Sequence, residues 1–202
     1  MAAEWCDGFL VLHGLDDAGE PYTVAGESQD PEFKDQIEIT SFSMGSDNTF
    51  DQDDYDQADP ILSAGGLYDS SDTVDYSEPV NYLTHEACKV SIEKQLDAAS
   101  PDLFRAWCLN EGGEGAFSHV TLSLRKPTGA NTREVYLVFT FLVVRIYEYR
   151  LSIGSDAIPK ETIKFNFEAV SMSYKPQQDD GTLGSAVNAG WDLPMQTAWT
   201  GD

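Results

Sequence analysis

The chain has 202 residues, 41% hydrophobic and 11% aromatic, with 35 acidic and 12 basic side chains for a net charge of −23. That apolar content excludes global disorder, the length suits one domain around a single core, and no apolar run reaches the roughly 18–20 residues of a membrane-spanning helix. Residues 1–79 hold 20 acids and one base, Lys34, so −19 of the charge lies there and −4 in the remainder, a field that repels nucleic-acid phosphates and anionic membranes.

The start, MAAEWCDGFLVLHGLDD, has no basic n-region and meets Asp16 and Asp17 after a short apolar run, so synthesis in the cytoplasm is expected, with no cleaved secretory signal. Alternation and β-branched content predict strands over Phe9–Leu12, Ile37–Ser43, Cys88–Leu96, Val120–Arg125, Val135–Val144, Tyr147–Ile153 and Thr162–Tyr174. In the last of these, Ile163, Phe165, Phe167, Val170, Met172 and Tyr174 fall largely at every second position, with Lys164, Asn166 and Glu168 on the opposite face. The pattern is all-β with one helix, starting at Ser100 as N-cap with Pro101 and Asp102 in its first turn. Leu103, Phe104, Trp107 and Cys108 are its expected apolar stripe, and Gly112 its end. So short a helix needs a partner, and its stripe should cap the end or side of the barrel.

Between the second and third of these strands, residues 46–84 form a long acidic insertion with Asp at 47, 51, 53, 54, 56, 59, 69, 72 and 75. A loop of this length is usually functional or disordered. Asp51, Asp53 and Asp56 are its calcium candidates, as hard oxygen ligands, yet no frame supplies both the Gly at position six and the Glu at position twelve of an EF-hand. No metal or other cofactor is assigned. His13, His85 and His119 are scattered and read as ordinary surface or strand histidines. Cys6, Cys88 and Cys108 lack C-x-x-C spacing and read as buried small apolar residues, with no disulfide framework or zinc site. No G-x-S-x-G elbow, Cys–His arrangement or phosphate-binding glycine loop precedes a helix, so the chain is not read as an enzyme. A surface, rather than a pocket, is expected to act.

The string IPKETIKFNFEAVSMSYKPQQDDG…AGWDL, from Ile158 to Leu193, resembles the haemolysin-coregulated protein (Hcp) family, whose members form the ring-stacked inner tube of type VI secretion systems. DGFLVLHGL, QIEITSFSMG, ACKVSIEKQLDAASPDLFRAWCLNEG and HVTLSLRKPTGANTREVYLVFTFLVVRIYEYRLSI follow the family's order, the last as three strands. The resemblance implies a single domain over residues 1–202, an Hcp-like β-barrel of two packed antiparallel sheets. It further implies a homohexameric ring, rings stacked into a hollow tube, effector cargo, and a contractile sheath and spike protein as partners. The protein would then be secreted or extracellular without a cleaved signal. The acidic insertion sits where Hcp-like proteins reach from ring to ring, which makes Phe50, Tyr55, Leu67, Tyr68 and Tyr76 candidate stacking or lateral contacts. Lys160, Lys164 and Glu168 are candidates for an exposed or channel face. Alternatives consistent with the sequence are an autonomous Hcp-related extracellular filament, a phage-like tail tube subunit, and a monomeric calcium-binding module.

Overall fold

Strands with one apolar face must bury it against another sheet, and here a single bent hairpin carries both sheets of the fold. A computed structural model describes residues 7–15, 19–46, 88–109, 115–129, 132–154, 158–199 and 201. Among the described residues there are eleven strands and one helix. These are β1 Asp7–Leu15, β2 Pro21–Thr23, β3 Ile37–Ile39, β4 Ser41–Ser46, β5 Cys88–Gln95, α1 Ser100–Leu109, β6 Phe117–Pro127, β7 Arg133–Ile153, β8 Pro159–Asn166, β9 Ala169–Tyr174, β10 Val187–Asp192 and β11 Thr197–Ala198. All their pairings are antiparallel.

One sheet runs β11-β10-β9-β7-β6-β1, with β2 and β3 both paired to the far edge of β1; the other runs β4-β5-β8-β7. Two corners join them into a closed barrel. At the first, Thr40 separates β3 from β4, and its N–H donates to the Glu93 carbonyl at 2.7 Å. At the second, β7 passes from partners β6 and β9 to partner β8. The sequence pattern predicts two strands across this region, but β7 is one 21-residue strand. Val143 takes φ 50° at the corner, and the register shifts just beyond it, between Ile146 and Glu148. Extra residues of this kind bend a strand and increase its twist, which lets one strand serve both sheets.

The expected strand Thr162–Tyr174 is likewise two strands, broken at Phe167–Glu168 opposite the Val143 corner. Ile163 and Phe165 face the core, and after the break Val170, Met172 and Tyr174 pair with Phe141, Phe139 and Leu137 on that same face. Each strand of the hairpin therefore uses an additional residue to turn the corner. The core lies between the sheets, where Leu10, Leu12, Val90, Ile92, Val120, Leu122, Phe141, Ile146, Ile163 and Phe165 are buried.

Helix α1 begins at Ser100 as expected, and Leu103 joins the core. Its buried side is Leu103 and Ala106, whereas Phe104, Trp107 and Cys108 are exposed. The i,i+3 pair faces down, and the two aromatic rings lie on the shoulder against Tyr149, with centroids 5.6 Å and 6.0 Å away. The expected stripe is thus rotated, and Cys108 is not a core residue. Cys6 lies outside the described residues, as do the insertion from residue 47 onward, the proposed helix end at Gly112, and the strand residue Cys88's side chain.

Candidate functional site

Inward parity is normally apolar, yet β5 places Lys94 next in line after Val90 and Ile92, and β8 places Glu161 just before Ile163 and Phe165. The two face each other in register, and both side chains are fully buried. Lys94 Nζ lies 2.6 Å from Glu161 Oε2, 2.7 Å from Asp97 Oδ1 and 3.0 Å from Ser100 Oγ. The Ser100 hydroxyl donates to Glu161 at 2.8 Å and accepts the Asp97 N–H at 3.0 Å, so it does not cap the N–H groups further along α1. The Tyr149 hydroxyl donates to the other Glu161 oxygen. Burial, then the hydrogen bond to Glu161 and its charge, pushes the Tyr149 phenol above its ordinary pKa. This network ties the start of α1 to β5, β7 and β8, and the sequence reading did not single it out.

A second ionic cluster lies where β1, β6 and β7 meet. Arg125 donates to Asp30 at 2.5 Å and to Asp7 at 3.1 Å, and Asp7 also accepts from Arg133. The guanidinium sits 5.1 Å and 5.4 Å from the ring centroids of Phe9 and Phe33, which stack on each other at 4.2 Å, close enough for cation–π attraction. Burial raises the Asp7 pKa, but hydrogen bonds from Arg133 and Arg125 and their charges outweigh it and hold Asp7 below the usual range. For Asp30 the Arg125 hydrogen bond leads, and the shift is also downward. Asp7, Asp30, Arg125, Arg133 and Glu38 line an open cleft of about 760 Å³.

Two exposed apolar patches complete the surface. Beyond β7, strands β9 and β10 overhang the barrel, and Met172, Tyr174, Val187 and Trp191 are exposed there. Register puts Val187 opposite Tyr174 and Trp191 opposite Val170, on the face that continues the core. Gly190 makes the tight approach of this extension, since a Cβ there would stand 2.0 Å from the Trp199 carbonyl oxygen. Asp192 Oδ1 accepts the Met195 N–H at 2.8 Å, and Leu193 is buried, so the Gly-Trp-Asp-Leu string ends β10 and anchors the turn that follows it. The other patch is formed by Phe104 and Trp107 of α1 with Leu151 and Ile153 at the far end of β7.

Of the residues singled out in sequence, Phe50, Tyr55, Leu67, Tyr68, Tyr76, Asp51, Asp53, Asp56 and His85 lie outside the described residues. Lys160 is exposed, while Lys164 is half-buried and paired with Glu148 at 2.9 Å. Glu168 is half-buried, its N–H donating to Leu142. Among the described residues no group of three or more His, Cys, Asp or Glu side chains could hold a metal ion, and no helix is long and apolar enough to cross a membrane.

The sequence profile of the family described as "Type VI secretion system effector, Hcp" matches residues 77–174, which spans β5 to β9. Protein hcp1 of Pseudomonas aeruginosa is 30% identical over 107 residues, covering 52% of this chain and 62% of that protein. Residues 77–174 of the chain are similar to the Hcp family. The alignment thus spans less than two thirds of that curated relative's length. Hcp1 from Salmonella typhimurium superposes with a TM-score of 0.60 at 20% identity, over 96% of this chain and 99% of that one. A solved type six secretion system protein gives 0.62 at 22% identity, over 96% and 100%. At these identities the structures establish the Hcp fold. The family match ends at Tyr174, so the Gly-Trp-Asp-Leu extension lies beyond it.

Proposed function

We propose that this chain is an Hcp-family structural subunit of a hollow protein tube, six copies closing into a ring and the rings stacking into the inner conduit of a type VI secretion system. The observation that carries this reading is the pair of separate apolar patches on a family fold, one on the β9–β10 overhang and one across α1 and the end of β7. A head-to-tail ring needs two different surfaces on each subunit, one given and one received. The overhang also leaves sheet edges at β10 and β11 that a neighbour would cover. In this reading the tube carries effectors, meets a contractile sheath and a spike protein, and leaves the cell without a cleaved signal. No chemistry is assigned to the subunit.

Negative-stain electron microscopy with light scattering on the purified chain, with and without EDTA, tests it. Rings or tubes of uniform diameter that survive EDTA are expected. A monomer that changes only when calcium is added would sink the tube and favour a binding module.

A further inference from the structure

The chain holds 35 acids against 12 bases, yet the outward face of the β4-β5-β8-β7 sheet has the opposite sign. Register fixes which side chains share that face. Val90, Ile92, Ile163, Phe165 and Ile146 turn to the core, so the alternate positions of β5, β8 and β7 turn away from it. Those positions carry Lys89, Arg145, Arg150, Lys160 and Lys164, five of the 12 bases, beside Glu93 and Glu148, which leaves the face at +3. We propose that this face is a binding surface for an acidic polypeptide and, resting on the tube reading, that such polypeptides are the class of cargo the tube carries.

Three observations carry the proposal. The first is charge left unbalanced within the face. Glu148 serves Lys164 and Arg150 together, at 2.9 Å each, and the half-buried Arg145 has its Nη1 enclosed without a hydrogen-bond partner. A guanidinium does not shed its proton, so that charge remains for a carboxylate to approach. The second is shape. Ser43, Ser91 and Lys164 follow one another across β4, β5 and β8, and Ser41 and Gly45 flank Ser43 on the same side of β4, so short side chains form a floor along which an extended chain can lie. The paired outward positions carry no aromatic ring of the kind on which unpaired bases stack, which favours a polypeptide over a nucleic acid. The third is range. At physiological ionic strength fields fall off over about 8 Å, so a polypeptide at the face meets the local excess of cations rather than the charge of the whole chain.

The test is fluorescence anisotropy of a labelled oligoglutamate and a labelled single-stranded oligothymidylate on the full chain at physiological salt, with electron microscopy of the same samples. Oligoglutamate should bind. Lys160→Glu combined with Arg150→Glu, both at exposed positions, should weaken it about tenfold or more, since each reversal replaces an attraction with a repulsion. Lys126→Glu combined with Lys175→Glu changes the charge equally away from this face and should leave binding nearly unchanged. Arg145→Gln should weaken it by a smaller factor, and it decides the matter should the double reversal fail to fold. Oligoglutamate binding that the double reversal leaves intact would overturn the proposal. Oligothymidylate binding as tightly, and lost in the same variants, would overturn it in favour of a nucleic acid. No binding at all would overturn it too, the face then being covered by a second copy or by the chain's own acidic insertion. Rings without oligoglutamate binding would remove this inference and leave the tube, whereas binding by a chain that forms no ring would keep the surface and remove the tube.

Discussion

The Lys94–Glu161 pair and the Arg125–Asp7–Asp30 cluster use the same chemistry in different surroundings. The first is fully buried, with its partners supplied by β5, β7, β8, the start of α1 and Asp97 just before that helix. The second lines an open cleft, and its outer members Arg133 and Glu32 reach solvent. A buried ion pair gains little net stability over a well-packed apolar pair, because desolvation offsets its Coulomb attraction, yet removing one partner is costly. A half-exposed cluster gives up less on formation and loses less on deletion. The buried pair therefore specifies where α1 docks, while the exposed cluster fastens residues 30–32 across β1 and β6.

The largest expected effect separates those two roles. Lys94→Met should destabilise the protein by about 3–5 kcal/mol, since Glu161 would keep only hydroxyl donors for a buried carboxylate. Lys94→Met combined with Glu161→Gln should recover a substantial part, because a neutral amide can still meet Tyr149 and Ser100. Chemical denaturation of the three proteins measures this. A double variant no more stable than Lys94→Met alone would mean that the pair contributes through packing rather than through charge balance.

Much of this architecture was legible in the chain, and the unread parts share a physical cause. Each of the seven predicted strands overlaps observed strand, because period-2 alternation reports the buried face directly, but Ile37–Ser43 and Thr162–Tyr174 each cover two strands, while Val135–Val144 and Tyr147–Ile153 are both parts of β7. The corner of the long hairpin was also visible, since the apolar series Ile163, Phe165, Phe167 steps to Val170, Met172, Tyr174 with one residue too many. Reading that slip as a bend requires knowing that β7 slips opposite to it, which is a pairing fact. The Lys94–Glu161 pair had a signal too: each residue continues the inward parity of its strand and the two carry opposite charge. Their proximity depends on β5 pairing with β8, and the stacking of the His13 ring on that of His119 depends in the same way on β1 pairing with β6. The rotated face of α1 escaped because Phe104 and Trp107 are apolar but lie on Tyr149 at the surface rather than beneath the helix.

An intermediate effect sharpens the comparison through solvent screening. Arg125→Met should cost roughly 1–3 kcal/mol, between the values for exposed and buried pairs, with Asp7 retaining Arg133 as a partner. The cost should shrink as salt is raised, because surface ion pairs are screened over about 10 Å at 0.1 M. The Lys94→Met penalty should hold steady in the same titration. Equal salt sensitivity of the two would contradict the assignment of one cluster to the interior and the other to an open cleft.

The smallest effect is the pH dependence, and here the two clusters should fail at opposite ends of the scale. Asp7 and Asp30 have folded pKa values below the ordinary 3.8, so their stabilisation is complete above that value and is lost as pH falls through the lower folded values. Asp7→Asn should flatten the acid limb of a stability-against-pH curve and leave the alkaline limb alone. Tyr149 is shifted the other way, above an unfolded value of 10.0. Its contribution is complete below pH 10 and declines as the unfolded chain begins to ionise there while the folded phenol, hydrogen-bonded to Glu161, keeps its proton. Tyr149→Phe should therefore flatten the alkaline limb alone, read by urea midpoints on either side of pH 10. If Asp7→Asn altered the alkaline limb, or Tyr149→Phe the acid limb, the clusters would be coupled through the barrel, and the separation between an interior lock and a surface clasp would have to be abandoned.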